Sequence, residues 1–203
     1  MSASICPCFE APSPNILPGV PVERGAIIGA DTVVLKDKGT MISKPKLMIV
    51  LGSGGHTNQM IRITEMLCDS YEFEYVVSDD DDKSAKKIRF QGAVHIISRP
   101  RRYYDKSVIR SVFLTIRSTL EAFGIIMNSR SVAIVSAGTS LTVPLYLWAS
   151  LFRKKKIYIE SWSRVNTKST AGKICYYFAD LFFVQWPELT KRYPKAIYAG
   201  RLG

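Results

Sequence analysis

From Lys46 onward, short apolar runs alternate with longer stretches in which apolar residues recur every three or four positions. The runs at Lys46–Leu51, Phe73–Val77, Val94–Ile97, Val132–Val135, Lys156–Ile159 and Leu181–Val184 have the length and the valine, isoleucine and aromatic content of strands. Between them the helical period predicts helices over 57–67, 107–128, 141–152 and 169–178, with a short Lys-rich helix after the second strand. Such alternation predicts an α/β fold, a Rossmann-like doubly wound parallel sheet with helices on both faces. Residues 1–43 contain several prolines and glycines and no sustained period, and read as an irregular or flexible extension ahead of a domain over 44–203. The extension lacks a basic segment leading into an apolar one, so a cleaved signal peptide is not expected.

The helix over 107–128 is amphipathic. At ~100° per residue, Val108, Ile109, Val112, Phe113, Ile116, Leu120, Phe123 and Ile126 share one face, with Lys106, Arg110, Arg117 and Glu121 opposite. Just upstream, Arg99-Pro-Arg-Arg-Tyr-Tyr104 combines cations with aromatic rings. Arg101, Arg102, Tyr103, Val112, Phe113 and Ile116 are therefore candidate contacts to an anionic membrane surface. A core-packing helix with a solvated polar face has the same pattern, and periodicity does not separate the two. The stretch Ser131–Phe152 is uncharged and long enough to cross a bilayer. Its polar middle, Ser136-Ala-Gly-Thr-Ser-Leu-Thr-Val-Pro144, breaks a helix and predicts a strand, a loop and a second helix instead.

The formal net charge of +11 lies wholly in residues 46–203, because the charges of residues 1–45 cancel. It favours an anionic partner. No motif that reads RNA or DNA accompanies the charge, so nucleic acid is not expected as that partner. Cys68 and Cys175 fall on apolar helical stretches, and Cys6-Pro-Cys8 is too tight for a zinc site. Reduced thiols of this kind suit a protein facing the cytosol.

The candidate chemistry starts at Ile49-Val-Leu-Gly-Ser-Gly-Gly-His-Thr57, a strand running into a glycine-rich turn and a helix. Free amides at the helix start attract phosphate, and Ser53, Gly54, Gly55 and Thr57 are the expected phosphate-binding positions. The spacing is not G-x-G-x-x-G, which argues against a nicotinamide site. His56, closing the turn, has a side chain suited to take a proton from an attacking hydroxyl. Glu160 stands at the carboxyl end of a strand, where doubly wound sheets bind ligands, and is a second candidate catalytic residue. Arg164 is placed to pair with a pyrophosphate or with Glu160, and Thr139 and Ser140 form a weaker candidate phosphate loop. His95, inside an apolar run, reads as a core or strand-end residue. Asp79-Asp-Asp-Asp82 reads as a solvated loop, and no metal site is expected.

Several further segments follow the glycine loop in order. They are Tyr158-Ile-Glu-Ser161 with Ser163-Arg-Val165, Gly172-Lys173, Ala179-Asp180, Phe183-Val-Gln-Trp-Pro-Glu188, Tyr193-Pro194 and Gly200-Arg-Leu202. Together they resemble the membrane-associated subunit of the two-subunit UDP-N-acetylglucosamine transferase of lipid-linked oligosaccharide synthesis, and its bacterial relatives in capsule and exopolysaccharide assembly. The resemblance spans about residues 46–203.

It implies the N-terminal, acceptor-side half of a split GT-B glycosyltransferase, inverting and inactive alone, with no cofactor or bound metal. A small partner subunit would hold most of the UDP-sugar, with UDP-N-acetylglucosamine the expected donor. A polyprenyl- or dolichyl-pyrophosphate-linked sugar would be the acceptor. The implied location is the cytosolic face of a membrane, endoplasmic reticulum in a eukaryote and plasma membrane in a prokaryote. Eukaryotic members usually begin with a membrane-spanning helix, and residues 1–43 contain no such segment. Two alternatives stay open: a bacterial subunit using another hexose, and a non-catalytic scaffold that brings the partner to the membrane.

Overall fold

The computed structural model describes residues 44–100 and 108–202. Arg101, Arg102 and Tyr103, three of the candidate membrane contacts, lie outside the described residues. Strands and helices alternate along the chain: β1 (Lys46–Val50), α1 (Gly55–Leu67), β2 (Glu72–Ser78), α2 (Asp82–Ala85), β3 (Gly92–Ile97), α3 (Val108–Asn128), β4 (Ala133–Ala137), α4 (Thr142–Leu151), β5 (Lys155–Ile159), α5 (Thr170–Phe178) and β6 (Leu181–Val184). A 3₁₀ turn (Pro187–Lys191) and the two-residue β7 (Ile197–Tyr198) complete it. Among the described residues the strands form one seven-stranded sheet of order β3-β2-β1-β4-β5-β6-β7, every neighbouring pair parallel. The expected Rossmann-like doubly wound fold is the observed one.

Period two divides the core. Met48 and Val50 of β1 face one side with Ile134, Ala122, Ile126, Leu145, Tyr146 and Cys175, the side of α3, α4 and α5. Leu47, Ile49 and Leu51 face the other with Met60, Ile63, Phe73 and Tyr75, the side of α1. Both faces of the central strands are covered, which explains why those strands are continuously apolar. The Ser131–Phe152 stretch divides into β4, a loop and α4 as its polar middle predicts. Among the described residues no helix is long and apolar enough to cross a membrane.

In α3, Ser118, Ala122 and Ile126 are buried, whereas Ile109, Val112, Phe113, Ile116 and Leu120 are exposed. The apolar stripe thus points outward, and the helix docks through Ser118, Ala122 and Ile126. Ile126, grouped with that stripe by sequence periodicity, belongs to the buried face. The docking is held by Trp148 of α4, whose Nε1 donates to Thr119 O at 2.8 Å while its ring packs on Phe123 at 4.7 Å between centroids. On the other flank Glu121 accepts from Ser98 N at 2.6 Å and from Arg117 Nε at 2.8 Å. The exposed stripe predicts a contrast in stability. Ile126→Ala, which leaves a core cavity, should cost about 3 kcal/mol, whereas Ile116→Ala should stay within about 0.5 kcal/mol of wild type; equal losses in denaturant unfolding would reverse the assignment of faces.

Candidate active site

In a doubly wound sheet the crossovers run in opposite senses on either side of the first strand. The loops leaving the carboxyl ends of β1 and β4 therefore part and leave a crevice between them. Three stretches line it here: the glycine loop after β1, the Gly138–Leu141 turn after β4, and Glu160–Arg164 after β5.

The glycine loop has two sides. Ser53, Gly54 and Gly55 are exposed. Gly54, at φ +66°, is the N-cap of α1 and contributes no side chain to the cap. The first amides of α1 are thus left without a side-chain acceptor, and the helix dipole adds positive potential at the same point. Thr57 faces the opposite way. It is fully buried, donates its hydroxyl to Gly52 O and stands 2.6 Å from Ser84 Oγ. Its side chain is a support of the loop, not the phosphate contact expected from its position in the motif.

His56 lies half-buried between the loops. A Cβ placed on Gly138 would stand 2.6 Å from His56 Cε1, 2.9 Å from Nδ1 and 3.1 Å from Ser161 Cβ. Gly138 also has φ +62°, a conformation that side chains disfavour. The imidazole is seated on bare backbone. Its Nδ1 is buried with no hydrogen-bond partner among the described residues, which leaves Nε2 as the nitrogen on the open side. Burial is the largest influence on its pKa and lowers it below 6.5; Glu160 raises it and Arg164 lowers it, and the net direction is down. His56 is accordingly a neutral imidazole at physiological pH.

Glu160 is fully buried. Its carboxylate accepts from Tyr193 OH at 2.8 Å, Ser161 N at 2.9 Å and Ser169 N at 3.4 Å. These bonds tie the end of β5 to the start of α5 and to the segment after the 3₁₀ turn. Both oxygens are engaged, and the group influences the crevice through its charge. Arg164 is exposed and donates to Thr167 Oγ1 at 3.4 Å; of the two pairings open to it, the one with Glu160 is not formed. Thr139 is nearly buried against Gly52, and Ser140 beside it is exposed.

Sequence reasoning passed over Trp162, Gln185 and Ser84. The half-exposed Trp162 indole reaches the glycine loop, its Nε1 3.2 Å from where a Gly55 Cβ would stand. Trp186 Nε1 holds Trp162 O at 2.6 Å, and the Arg201 guanidinium lies 4.7 Å over the Trp186 ring. Gln185 donates to Glu160 O at 2.9 Å and accepts from Leu202 N at 2.9 Å, so the last described residues are fastened beside the crevice. The Phe183-Val-Gln-Trp-Pro-Glu188 segment was the signal available for Gln185 and Trp186. Nothing in the local sequence around Ser84 announces its role.

The acidic run is largely committed to local bonds. Asp80 pairs with Arg99 at 3.0 Å, and Asp81 caps α2. His95 sits on β3 as expected, with Nε2 3.9 Å from the buried Glu74.

The family described as "Oligosaccharide biosynthesis protein Alg14 like" matches residues 47–202. The mouse protein named UDP-N-acetylglucosamine transferase subunit ALG14 is 36% identical over 179 residues, covering 77% of this chain and 82% of its own. The human protein of the same name is 33% identical over 177 residues, with the same two coverages, 77% and 82%. Among solved structures, MurG from Acinetobacter baumannii superposes with a TM-score of 0.60 at 14% identity, over 77% of this chain and 45% of that one. This chain therefore corresponds in fold to less than half of that GT-B protein. By the span of the family match and the identity to these relatives, the chain belongs to the Alg14 family of oligosaccharide biosynthesis proteins.

Proposed function

We propose that this chain is the acceptor-side half of a two-chain inverting glycosyltransferase. With a small donor-binding partner it transfers N-acetylglucosamine from UDP-N-acetylglucosamine to a polyprenyl- or dolichyl-pyrophosphate-linked sugar on the cytosolic face of a membrane. The observation that carries this reading is the meeting, in one crevice, of unpartnered loop amides and the open Nε2 of a neutral histidine. The relatives' name supports the donor and the status of subunit.

In this reading the amides of Ser53, Gly54 and Gly55 face the acceptor pyrophosphate, with Ser140, Thr139 and Arg164 at its margin. The acceptor hydroxyl attacks the anomeric carbon of the donor, the bond to UDP breaks with its electron pair leaving on the phosphate, and His56 Nε2 takes the hydroxyl proton. For Nε2 to take that proton the neutral ring carries its hydrogen on the enclosed Nδ1, so the positive charge arrives on a ring whose buried N–H has no acceptor among the described residues, which is one physical reason for a low pKa. Glu160 acts through position and charge: it holds the β5–α5 corner and favours the imidazolium as the proton arrives. Catalysis is preferred to a scaffold role because a scaffold has no use for an open, neutral imidazole at a sheet switch point.

The outward stripe of α3, Ile109, Val112, Phe113, Ile116 and Leu120, is the proposed membrane-contact face. Exposed Leu147, Leu151 and Phe152 of the α4 region accompany it, and Phe152 approaches Phe123 at 6.1 Å between ring centroids. Asp at Phe113 or Ile116 should reduce flotation with anionic vesicles by about fivefold or more without lowering thermal stability; unchanged flotation would remove this face from the membrane.

For catalysis, His56→Gln reconstituted with the partner should lose about 10²–10⁴-fold in kcat while partner binding is kept, and transfer at the wild-type rate would refute the base role. The acid limb of kcat/KM should lie below pH 6.5, where His56 becomes protonated. Removing the Arg164 cation raises the His56 pKa, so Arg164→Gln should move that limb to higher pH. A limb that stays in place or falls would show that another group titrates.

A further inference from the structure

We infer that Thr57, Ser84 and Asp81 form a brace that sets the direction in which the glycine loop presents its amides, which makes Thr57 and Ser84 positioning residues for a pyrophosphate-bearing substrate. The inference rests on the reading that this loop meets pyrophosphate.

The brace converges on one carbonyl. Gly52 O accepts the Thr57 hydroxyl and lies 3.1 Å from Ser84 Oγ, and the two hydroxyl oxygens are 2.6 Å apart. Thr57 is 0% and Ser84 2% exposed, so water does not compete for these bonds. Ser84 is gripped in turn by Asp81, whose Oδ1 accepts Ser84 N at 3.1 Å and whose Oδ2 accepts Ser84 Oγ at 2.6 Å. The Asp81 side chain holds Ser84 at both its backbone and its side chain. One residue of the acidic run thus acts from the loop after β2 on the loop after β1.

The consequence follows from peptide geometry. The described chain has no cis bonds, and in a planar trans peptide the C=O of one residue and the N–H of the next point in opposite directions. Drawing Gly52 O inward onto the buried Thr57 hydroxyl, which Ser84 backs, therefore turns Ser53 N–H outward, toward the exposed turn at Ser53–Gly55. Among the described residues neither the Ser53 nor the Gly54 amide has a hydrogen-bond acceptor. The loop's backbone cannot relax sideways either, because a Cβ at Gly52 would already stand 2.9 Å from His56 Cβ and 3.0 Å from Thr139 Cβ. Rotation of the Gly52–Ser53 peptide is the freedom left, and the brace removes it. Lost hydroxyls would let the plane turn and take the Ser53 donor away from an anion without unfolding the domain.

The test uses the full chain. Thr57→Val removes the hydroxyl at nearly constant shape, Thr57→Ser restores it, and Ser84→Ala repeats the deletion from the other loop should the valine variant not fold. In the ¹⁵N-labelled protein, inorganic pyrophosphate should shift the Ser53 and Gly54 amides. T57V and S84A should weaken that response by about five- to tenfold, the order expected for one misdirected charge-assisted bond, and T57S should match wild type. With the partner on vesicles, the same two variants should raise KM for the polyprenyl-pyrophosphate-linked acceptor by a similar factor and leave KM for UDP-N-acetylglucosamine unchanged.

The brace is refuted if pyrophosphate moves Ser53 equally in wild type and T57V, if wild type gives no response, if T57S is as impaired as T57V, or if both KM values rise together. A wild-type complex that transfers no sugar, with an amide response that still depends on the hydroxyls, would leave the brace standing and overturn the proposed transferase function.

Discussion

The contact between the His56 ring and the Gly138 backbone is the constraint around which the crevice is built. It joins the start of α1 to the turn after β4 across the point where the sheet reverses its winding, and Ser161 from the loop after β5 closes the same pocket. Any residue with a side chain at 138 would occupy the space of the ring and would also resist the positive φ. The imidazole therefore has one seat, with one nitrogen enclosed and the other facing out. The same packing positions the ring and tunes it, because the burial that locates the imidazole also lowers its pKa.

Glu160 is the second anchor, and its environment explains why a fully buried carboxylate is tolerated. Two backbone amides and the Tyr193 hydroxyl replace the water it has lost, and one of the amides, that of Ser169, stands at the N-cap of α5. The network reaches beyond the corner. Gln185 bonds Glu160 O with one end of its amide and Leu202 N with the other, and Arg62 of α1 holds Leu202 O at 2.8 Å. The final described residues are thus fastened to the helix that carries His56. Under the proposed function, a half-enzyme completed by a second chain would need this stiffness, since no covalent linkage would keep the two halves of its site in register.

α3 shows how a small domain can carry an apolar surface without spending its core. The helix docks through Ser118, Ala122 and Ile126 and is pinned at its flanks by Trp148 and Glu121, which frees its larger apolar residues to face outward.

The amino-acid sequence by itself determined the elements and the fold class, because periods of two and 3.6 residues report burial directly. Even the uncharged Ser131–Phe152 stretch declared itself through the polar residues in its middle. β7 escaped notice, since two residues cannot display a period. The glycine cluster and His56 were legible as local chemistry. Only the tertiary structure decided which way each group faces and what it meets. Thr57 turns inward because Ser84 reaches it from α2, Arg164 bonds Thr167 and not Glu160, and α3 buries the face of Ser118, Ala122 and Ile126 because Trp148 and Ser98 hold it there. The reason is general to a parallel sheet: a strand's residues encode that it is a strand, whereas strand order alone sets which loops adjoin at the carboxyl edge, and the site is made from those adjacencies.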